Sequence, residues 1–589
     1  MIKKVKKIFY ILNKEDRKII ILLLFMVIMM AFLEMVGVAS IMPFISVLVN
    51  PELIETNYFL NIIFKTTNLF GIESHQEFLY FLGICSFFLL MTSIVFKALT
   101  IYVQTKFNAN SQFNIASRIM ELYLGQPYVW FLNRNSAELG KNILSEVQTV
   151  TSKGLNSFIN LITQICTSTV LITLLIFVDF KLTIIGCLLV GGFYIFVYFI
   201  FGKYNKKLGK KRFNITTQCF TIMNESFSSI KELKVSNLEK VFLETFVKPS
   251  KNLAKISTLI DFIGRLPRLV IEIITFGGLI LMVLFLMTKQ GSLISALPTI
   301  TVFILVAYRL IPAMQTIYQS ISQVNYVGPS IDNMYHELKN LNFLKNTNQT
   351  NLISLKDNIS LKNVSYQYPD APKASLANIN LTISAGAKVG IIGTTGSGKT
   401  TLVDIILGLL EVTKGQLLID DKKIDKNNIR NWQRNIGYVP QQIFLSDKSI
   451  SNNIAFGINP DNVNQSDIEE VSKIANLHNF VINELPLKYN TIVGERGVRL
   501  SGGQIQRIGI ARALYKKPEL LILDESTSAL DHNTEQLVMN EIFKLKKNMT
   551  IIIIAHRLST LKKCDVIFRL EKGKINNKGT FENLVAKNY

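Results

Sequence analysis

Cysteine is scarce in this chain. Its five copies, Cys85, Cys166, Cys187, Cys219 and Cys564, are scattered over 589 residues with no short metal-like spacing. That excludes a disulfide framework and a cysteine zinc site, and leaves small buried hydrophobes. Acidic residues are in deficit too: 42 Asp and Glu against 64 Lys and Arg, a net charge of +22. Such an excess can serve nucleic acid, but loops lying beside anionic lipid account for it more simply, so no nucleic-acid partner is expected. The first apolar run follows a basic start yet is too long for a signal peptide and lacks a small-residue cleavage pattern. It reads as a retained membrane span.

What is present is grease. At 49% apolar over this length, the chain is too long for one core and too hydrophobic to be wholly soluble. Six spans are expected, near 19–44, from 78 to beyond 104, 155–178, 182–201, 269–287 and 293–314. Glu34 lies inside the first, where a carboxylate is costly and faces protein or a water-filled cavity, and Pro43 is near its outer end. Residues 51–74 are too polar to cross and read as short external helices at the interface. Lys3, Lys4, Lys6 and Lys7 interleave with Val5, Ile8, Phe9 and Ile11; this is either a helix lying on the membrane surface or a simple positive flank to the first span. Lys and Arg crowd 203–258 and 106–153 and almost avoid the short links outside, which places both termini in the cytoplasm. The long internal connections hold few Pro or Gly, so their helices are expected to extend into the cytosol. Membrane lipids are therefore constant partners.

From residue 359 strand-like runs alternate with helices, as in a mainly parallel α/β domain. Gly393, Thr394, Thr395, Gly396, Ser397, Gly398, Lys399 and Thr400 fit the phosphate-loop pattern. Backbone N–H groups would wrap the phosphates of ATP, Lys399 would reach the β and γ oxygens, and Thr400 would hold Mg²⁺. The apolar helix from Thr401 to Leu410 points its N-terminus at the same phosphates. Leu520 to Glu525 reads as a buried strand ending in two carboxylates. Asp524 is assigned to Mg²⁺ and Glu525 to the attacking water.

The phosphate loop paired with Leu500-Ser501-Gly502-Gly503-Gln504 resembles the nucleotide-binding domain of the ABC transporters. The resemblance implies that Tyr368 stacks on adenine, that Gln441 reaches Mg²⁺ and the water where the membrane domain docks, and that His556 contacts the γ-phosphate. It also implies that Ser501, Gly502, Gly503 and Gln504 cap the ATP held by an opposite subunit. Gly494 to Gly497 resembles the exporter-specific loop, and Ser528 to Asp531 the D-loop. One loop and one signature, both intact, require a dimer; an intact Glu525 favours a homodimer. The expected layout is an exporter half: a six-span α-helical transmembrane domain at 1–335, a linker at 336–357 and a mixed α/β P-loop domain at 358–589. Residues 128–139 and 228–239 correspond to its two coupling helices.

Cargo is read from cations inside spans: Lys97, Arg265, Arg268 and Arg309, all toward the cytoplasmic half, where an inward-open cavity would collect them for a phosphate-bearing headgroup. Glu34 to Phe44, Leu266-Pro267-Arg268, Tyr308 to Pro312 and Ile11 to Asp16 are similar to the PglK-type flippases. That implies ATP-driven flipping of a polyprenyl-pyrophosphate-linked oligosaccharide for protein glycosylation in a bacterial inner membrane. The sequence departs from the pattern in having Thr316 and Lys97 where relatives can carry Arg, which bears on the headgroup. Another lipid, a drug or a peptide remains the alternative cargo, the last disfavoured because no N-terminal peptidase domain is seen. An ATP-gated protein that does not pump is the alternative mechanism.

Overall fold

The computed structural model describes residues 2–68, 72, 74–290, 293–341, 352–369, 371–545, 549–555 and 557–584. The chain divides into two compact units. One holds Met1–Gln126 and Trp130–Leu344, the other Pro127–Val129 and Lys345–Tyr589.

The first unit is helical. Lys14–Ala39 begins before the expected residue 19 and stops short of residue 44, and Ile41–Val49 continues after Ser40. Pro43 has no N–H to give Ala39, so the helix ladder is interrupted there. Two short helices, Leu53–Thr56 and Tyr58–Asn68, fill the segment read as interfacial. His75–Leu124 runs for 50 residues from a capping box in which Ser74 and Glu77 satisfy each other's backbone N–H. Asn156–Val178 follows two π-helical turns, and Phe180–Ser228 starts at once because the Asp179 carboxylate accepts from Leu182 N at 3.0 Å. Glu239–Gln290, which contains Pro249 and Pro267, Leu293–Tyr326 and Gly328–Asn340 complete the unit. The last helix continues past residue 335, the expected start of the linker; residues 342–351 of that linker lie outside the described residues.

Among the described residues five helical stretches are long and apolar enough to cross a membrane: Lys14–Val49, His75–Leu124, Ser136–Val178, Phe180–Ser228 and Ile300–Tyr326. The remaining expected span, 269–287, falls within Glu239–Gln290, where several side chains lie outside the described residues.

The N-terminal helix, Ile2–Ile11, is packed on protein. Ile8, Ile11 and Leu12 are buried beside Phe107, Ile115, Ile331 and Met334. Lys4 Nζ donates to Val324 O at 3.1 Å and to Asn325 Oδ1 at 2.9 Å, and Lys7 pairs with Asp332. Burial holds the Lys4 ammonium down at about 8, with Asp332 opposing the shift. Of the four lysines read as a membrane-surface helix or a positive flank to the first span, Lys4 and Lys7 are thus engaged by protein, while Lys3 and Lys6 stay exposed.

Among its described residues the second unit carries ten strands: β1 Asn358–Tyr366, β2 Leu376–Ser384, β3 Lys388–Gly393, β4 Lys414–Ile419, β5 Lys422–Lys423, β6 Ile436–Val439, β7 Leu520–Asp524, β8 Thr550–Ile554, β9 Val566–Glu571 and β10 Lys574–Gly579. β2-β1-β4-β5 form one sheet, antiparallel throughout, and β10-β9-β3-β8-β7-β6 the other. In the second sheet β9, β3, β8, β7 and β6 are parallel, and β10 turns back antiparallel on β9. Every residue of β7 and β8 is buried, as strands covered on both faces must be. Because β3, β6, β7 and β8 are parallel, the segments that follow them emerge on one edge, the usual place for a ligand in such sheets.

Candidate nucleotide site and membrane cations

The phosphate loop leaves β3 at Gly393 and ends at Gly398, which precedes helix Lys399–Ile406. Gly398 has φ +102°, and a Cβ there would meet Leu376 Cδ2 at 2.8 Å and Ser375 O at 3.0 Å. Only glycine fits without strain. The Ser397 hydroxyl is buried with no partner, and Lys399 Nζ reaches the loop's own carbonyls, Gly393 O at 2.8 Å and Thr394 O at 3.1 Å. An orphaned donor, a buried ammonium tied only to neutral carbonyls and a helix N-terminus together fit a polyphosphate. The Tyr368 hydroxyl lies 3.3 Å from Thr401 Oγ1, which brings the expected adenine-stacking ring to the start of the same helix.

Asp524 ends β7 and Glu525 follows with φ +49°, a left-handed conformation that a glutamate adopts at a cost. Its backbone N–H is fixed on Ile554 O at 3.0 Å. Gln441, beyond β6, donates Nε2 to Glu525 Oε2 at 2.7 Å. Burial raises the Asp524 carboxyl, Glu525 adds to the rise, and Tyr438 and Lys399 oppose it. Asp404, one turn after Thr400 on the phosphate-loop helix, is pushed up to about 6 by burial and by Asp524. Crowded carboxylates of this kind suit a divalent cation. Among the described residues no three or more His, Cys, Asp or Glu side chains form a metal cage, so Mg²⁺ would rest on Thr400, Asp524 and Gln441 together with nucleotide oxygens. His556 lies outside the described residues.

Ser501 caps helix Gly502–Tyr515: its hydroxyl accepts from Gln504 N, and Gln504 Oε1 accepts from Ser501 N at 2.8 Å. Ser501 and Gly502 are exposed, leaving the N–H groups of a 14-residue helix open at that end. One turn further, Gln506 holds the D-loop by donating to Ser528 Oγ and accepting from Ala529 N at 3.0 Å.

Asp404, Tyr438, Gln506 and Glu535 escaped the sequence reading. Glu535 accepts from Thr527, Thr560 and Arg557, each at 2.8 Å, so one buried carboxylate anchors both the segment after Glu525 and the residue after His556. The spacing of Asp404 from Thr400 was a usable signal; the convergence on Glu535 was not.

In the helical unit Glu34 is buried, and its Oε1 accepts from Arg309 Nη1 at 2.7 Å and from Lys97 Nζ at 3.2 Å. Two of the four expected cargo cations are therefore brought together by a carboxylate. The other two are not: Arg268 pairs with Glu272 at 2.8 Å on an exposed face, and Arg265 is exposed. Among the described residues no ion pair links either to Glu34.

A family model described as ABC transporter matches residues 376–528. The chain is 31% identical over 510 residues to the heterocyst differentiation ATP-binding protein HepA of Nostoc sp., covering 85% of this chain and 82% of that one. It is also 31% identical over 492 residues to the ATP-dependent lipid A-core flippase of Syntrophus aciditrophicus, covering 80% and 78%. The structure of a bacterial Atm1-family ABC exporter with ATP bound superposes with a TM-score of 0.78 at 20% identity, covering 96% of each chain, which establishes the fold.

Proposed function

The chain belongs to the ABC transporter family, and on that premise we propose that it is half of a homodimeric exporter that flips a polyprenyl-pyrophosphate-linked oligosaccharide across a bacterial inner membrane. It is a multi-pass membrane protein that couples ATP hydrolysis to transport. The loop from Gly393 to Thr400 binds the phosphates, and Gln441 and Glu525 hold and activate the water. Mg²⁺, held by Thr400, Asp524 and Gln441, would supply neutralisation of the phosphate charge. Ser501 to Gln504 serve the nucleotide of a second copy through the open end of their helix. Closure of the two nucleotide domains would pass through residues 128–139 and 228–239 to six spans, with both termini cytoplasmic.

The observation that supports the cargo is the Arg309–Glu34–Lys97 cluster. Two cations share one carboxylate, so a net positive charge sits on membrane helices where charge is expensive. An anionic headgroup would take up that excess, and the Arg309 fork suits phosphate oxygens. A second reading, flipping of lipid A-core, is favoured by the similarity to a flippase of that name over 80% of this chain.

Proteoliposomes loaded with a defined polyprenyl-pyrophosphate oligosaccharide test the proposal. ATP-dependent movement that Glu525→Gln abolishes is expected. Movement of lipid A-core but not of the oligosaccharide lipid would transfer the assignment to the second reading, and movement of a drug or peptide alone would remove both.

A further inference from the structure

The start of the first membrane helix carries a second cationic site, built from residues other than Lys97 and Arg309. A cavity of about 600 Å³ opens where the N-terminal helix meets Lys14–Ala39 and His75–Leu124, lined by Tyr10, Asn13, Lys14, Arg17, Arg118 and Glu121 among others. Three cations there face one carboxylate. Lys14 and Arg17 are exposed. Arg118 is half-buried, its Nη1 held by two neutral acceptors, Ile11 O and Asn13 Oδ1, each at 3.3 Å. The nearby Asp16 is buried, and its Oδ1 accepts from Asn114 Nδ2 at 3.1 Å. The Tyr10 ring is set edge-on against Tyr335 at 5.0 Å.

Depth identifies the ligand class. One to two turns beyond Arg17, Ile21, Leu22 and Phe25 are 68%, 55% and 63% exposed on a helix apolar enough to span a bilayer. On a helix that spans the bilayer such bared apolar side chains would face acyl chains. Along the helix axis Arg17 therefore lies about 6 Å and Lys14 about 10 Å from Ile21, the first of these side chains, at the level of headgroups. Arg and Lys at that depth attract anionic lipid, and a guanidinium fork binds phosphate in bidentate fashion.

We propose that this cavity binds the phosphate of an anionic phospholipid from the leaflet at the N-terminal end of the first span. Lys14 and Arg17 would supply the charge, Arg118 the pre-positioned fork and the Tyr10 hydroxyl a donor. The lipid would brace the joint between the N-terminal helix, which Lys4 and Lys7 already tie to residues 324–332, and the first span. The site is independent of the cargo reading.

The test uses the full-length protein in nanodiscs with a photoactivatable phosphatidylglycerol, and maps the labelled peptides by mass spectrometry. Label is expected within 10–18 and 114–121, and Lys14→Gln/Arg17→Gln should raise the half-saturating probe fraction by roughly 30-fold. Lys14→Arg/Arg17→Lys should restore it, which separates loss of charge from loss of fold. A phosphatidylcholine probe that labels the same peptides equally would overturn the proposal. So would a neutral variant that labels as wild type, a charge-preserving variant that does not recover, or displacement of the lipid by inorganic phosphate at equal concentration.

Discussion

Gln441 and Glu525 are joined side chain to side chain, Nε2 to Oε2 at 2.7 Å, although the first follows β6 and the second follows β7. The glutamine thereby aims the carboxylate while the left-handed backbone of Glu525 fixes where it starts. Glu525→Gln keeps size and shape and removes the base. ATP binding should survive, turnover should fall by on the order of 10²–10⁴-fold, and a closed dimer should accumulate. Wild-type turnover from the purified variant would refute the assignment.

Among the described residues Lys399 donates to Gly393 O and Thr394 O, both within its own loop, and to no carboxylate. Its charge is therefore available to a phosphate without first breaking an ion pair. Lys399→Ala should weaken ATP binding by about 10–100-fold, the worth of one charge-assisted hydrogen bond, as calorimetry on the solubilised protein would read. An unchanged Kd would move phosphate recognition entirely to the backbone.

Two loop glycines should respond differently to alanine. Gly398 has no room for a Cβ, whereas Gly396, at φ +78°, has nothing within 4 Å. Gly398→Ala should lower Tm and lose nucleotide binding together. Gly396→Ala should cost only about 1–2 kcal/mol of backbone strain yet still weaken ATP, because the open space is where phosphate belongs. Thermal melts with and without ATP separate the two, and equal Tm losses would contradict this account.

Arg309 and Lys97 depend on Glu34 for their counter-charge. If the cluster serves cargo, Arg309→Ala should lower substrate-stimulated ATPase more than basal ATPase, while Glu34→Gln should destabilise the helical unit by leaving two cations adjacent. Equal loss of basal and stimulated activity in Arg309→Ala would reduce the cluster to a structural brace.

The nucleotide site was legible because its chemistry is written in contiguous residues. A phosphate loop must be glycine-rich at fixed positions, and a strand ending in Asp524-Glu525 has few other meanings. The membrane cations were legible as costly residues but not as partners. Glu34 and Arg309 are 275 positions apart, and no local pattern encodes which oxygen a guanidinium will choose. The packing of the N-terminal helix on protein was hidden for the same reason. An amphipathic pattern shows that one face is apolar, and cannot show whether lipid or the helix Gly328–Asn340 covers it.

Cys564 offers a test of packing in the nucleotide domain. It is buried among Leu561, Ile567 and their neighbours, and burial pushes its thiol up to about 12, with Asp565 adding to the rise. At pH 8 the thiolate fraction is then on the order of 10⁻⁴, against about one-tenth for a thiol at the ordinary value of 9. Burial raises the half-buried Cys219 thiol too, so maleimide at that pH should label Cys219 slowly in the native protein and spare Cys564 until denaturant is added. Labelling of both at similar rates would show that the edge of β9 opens in the native state.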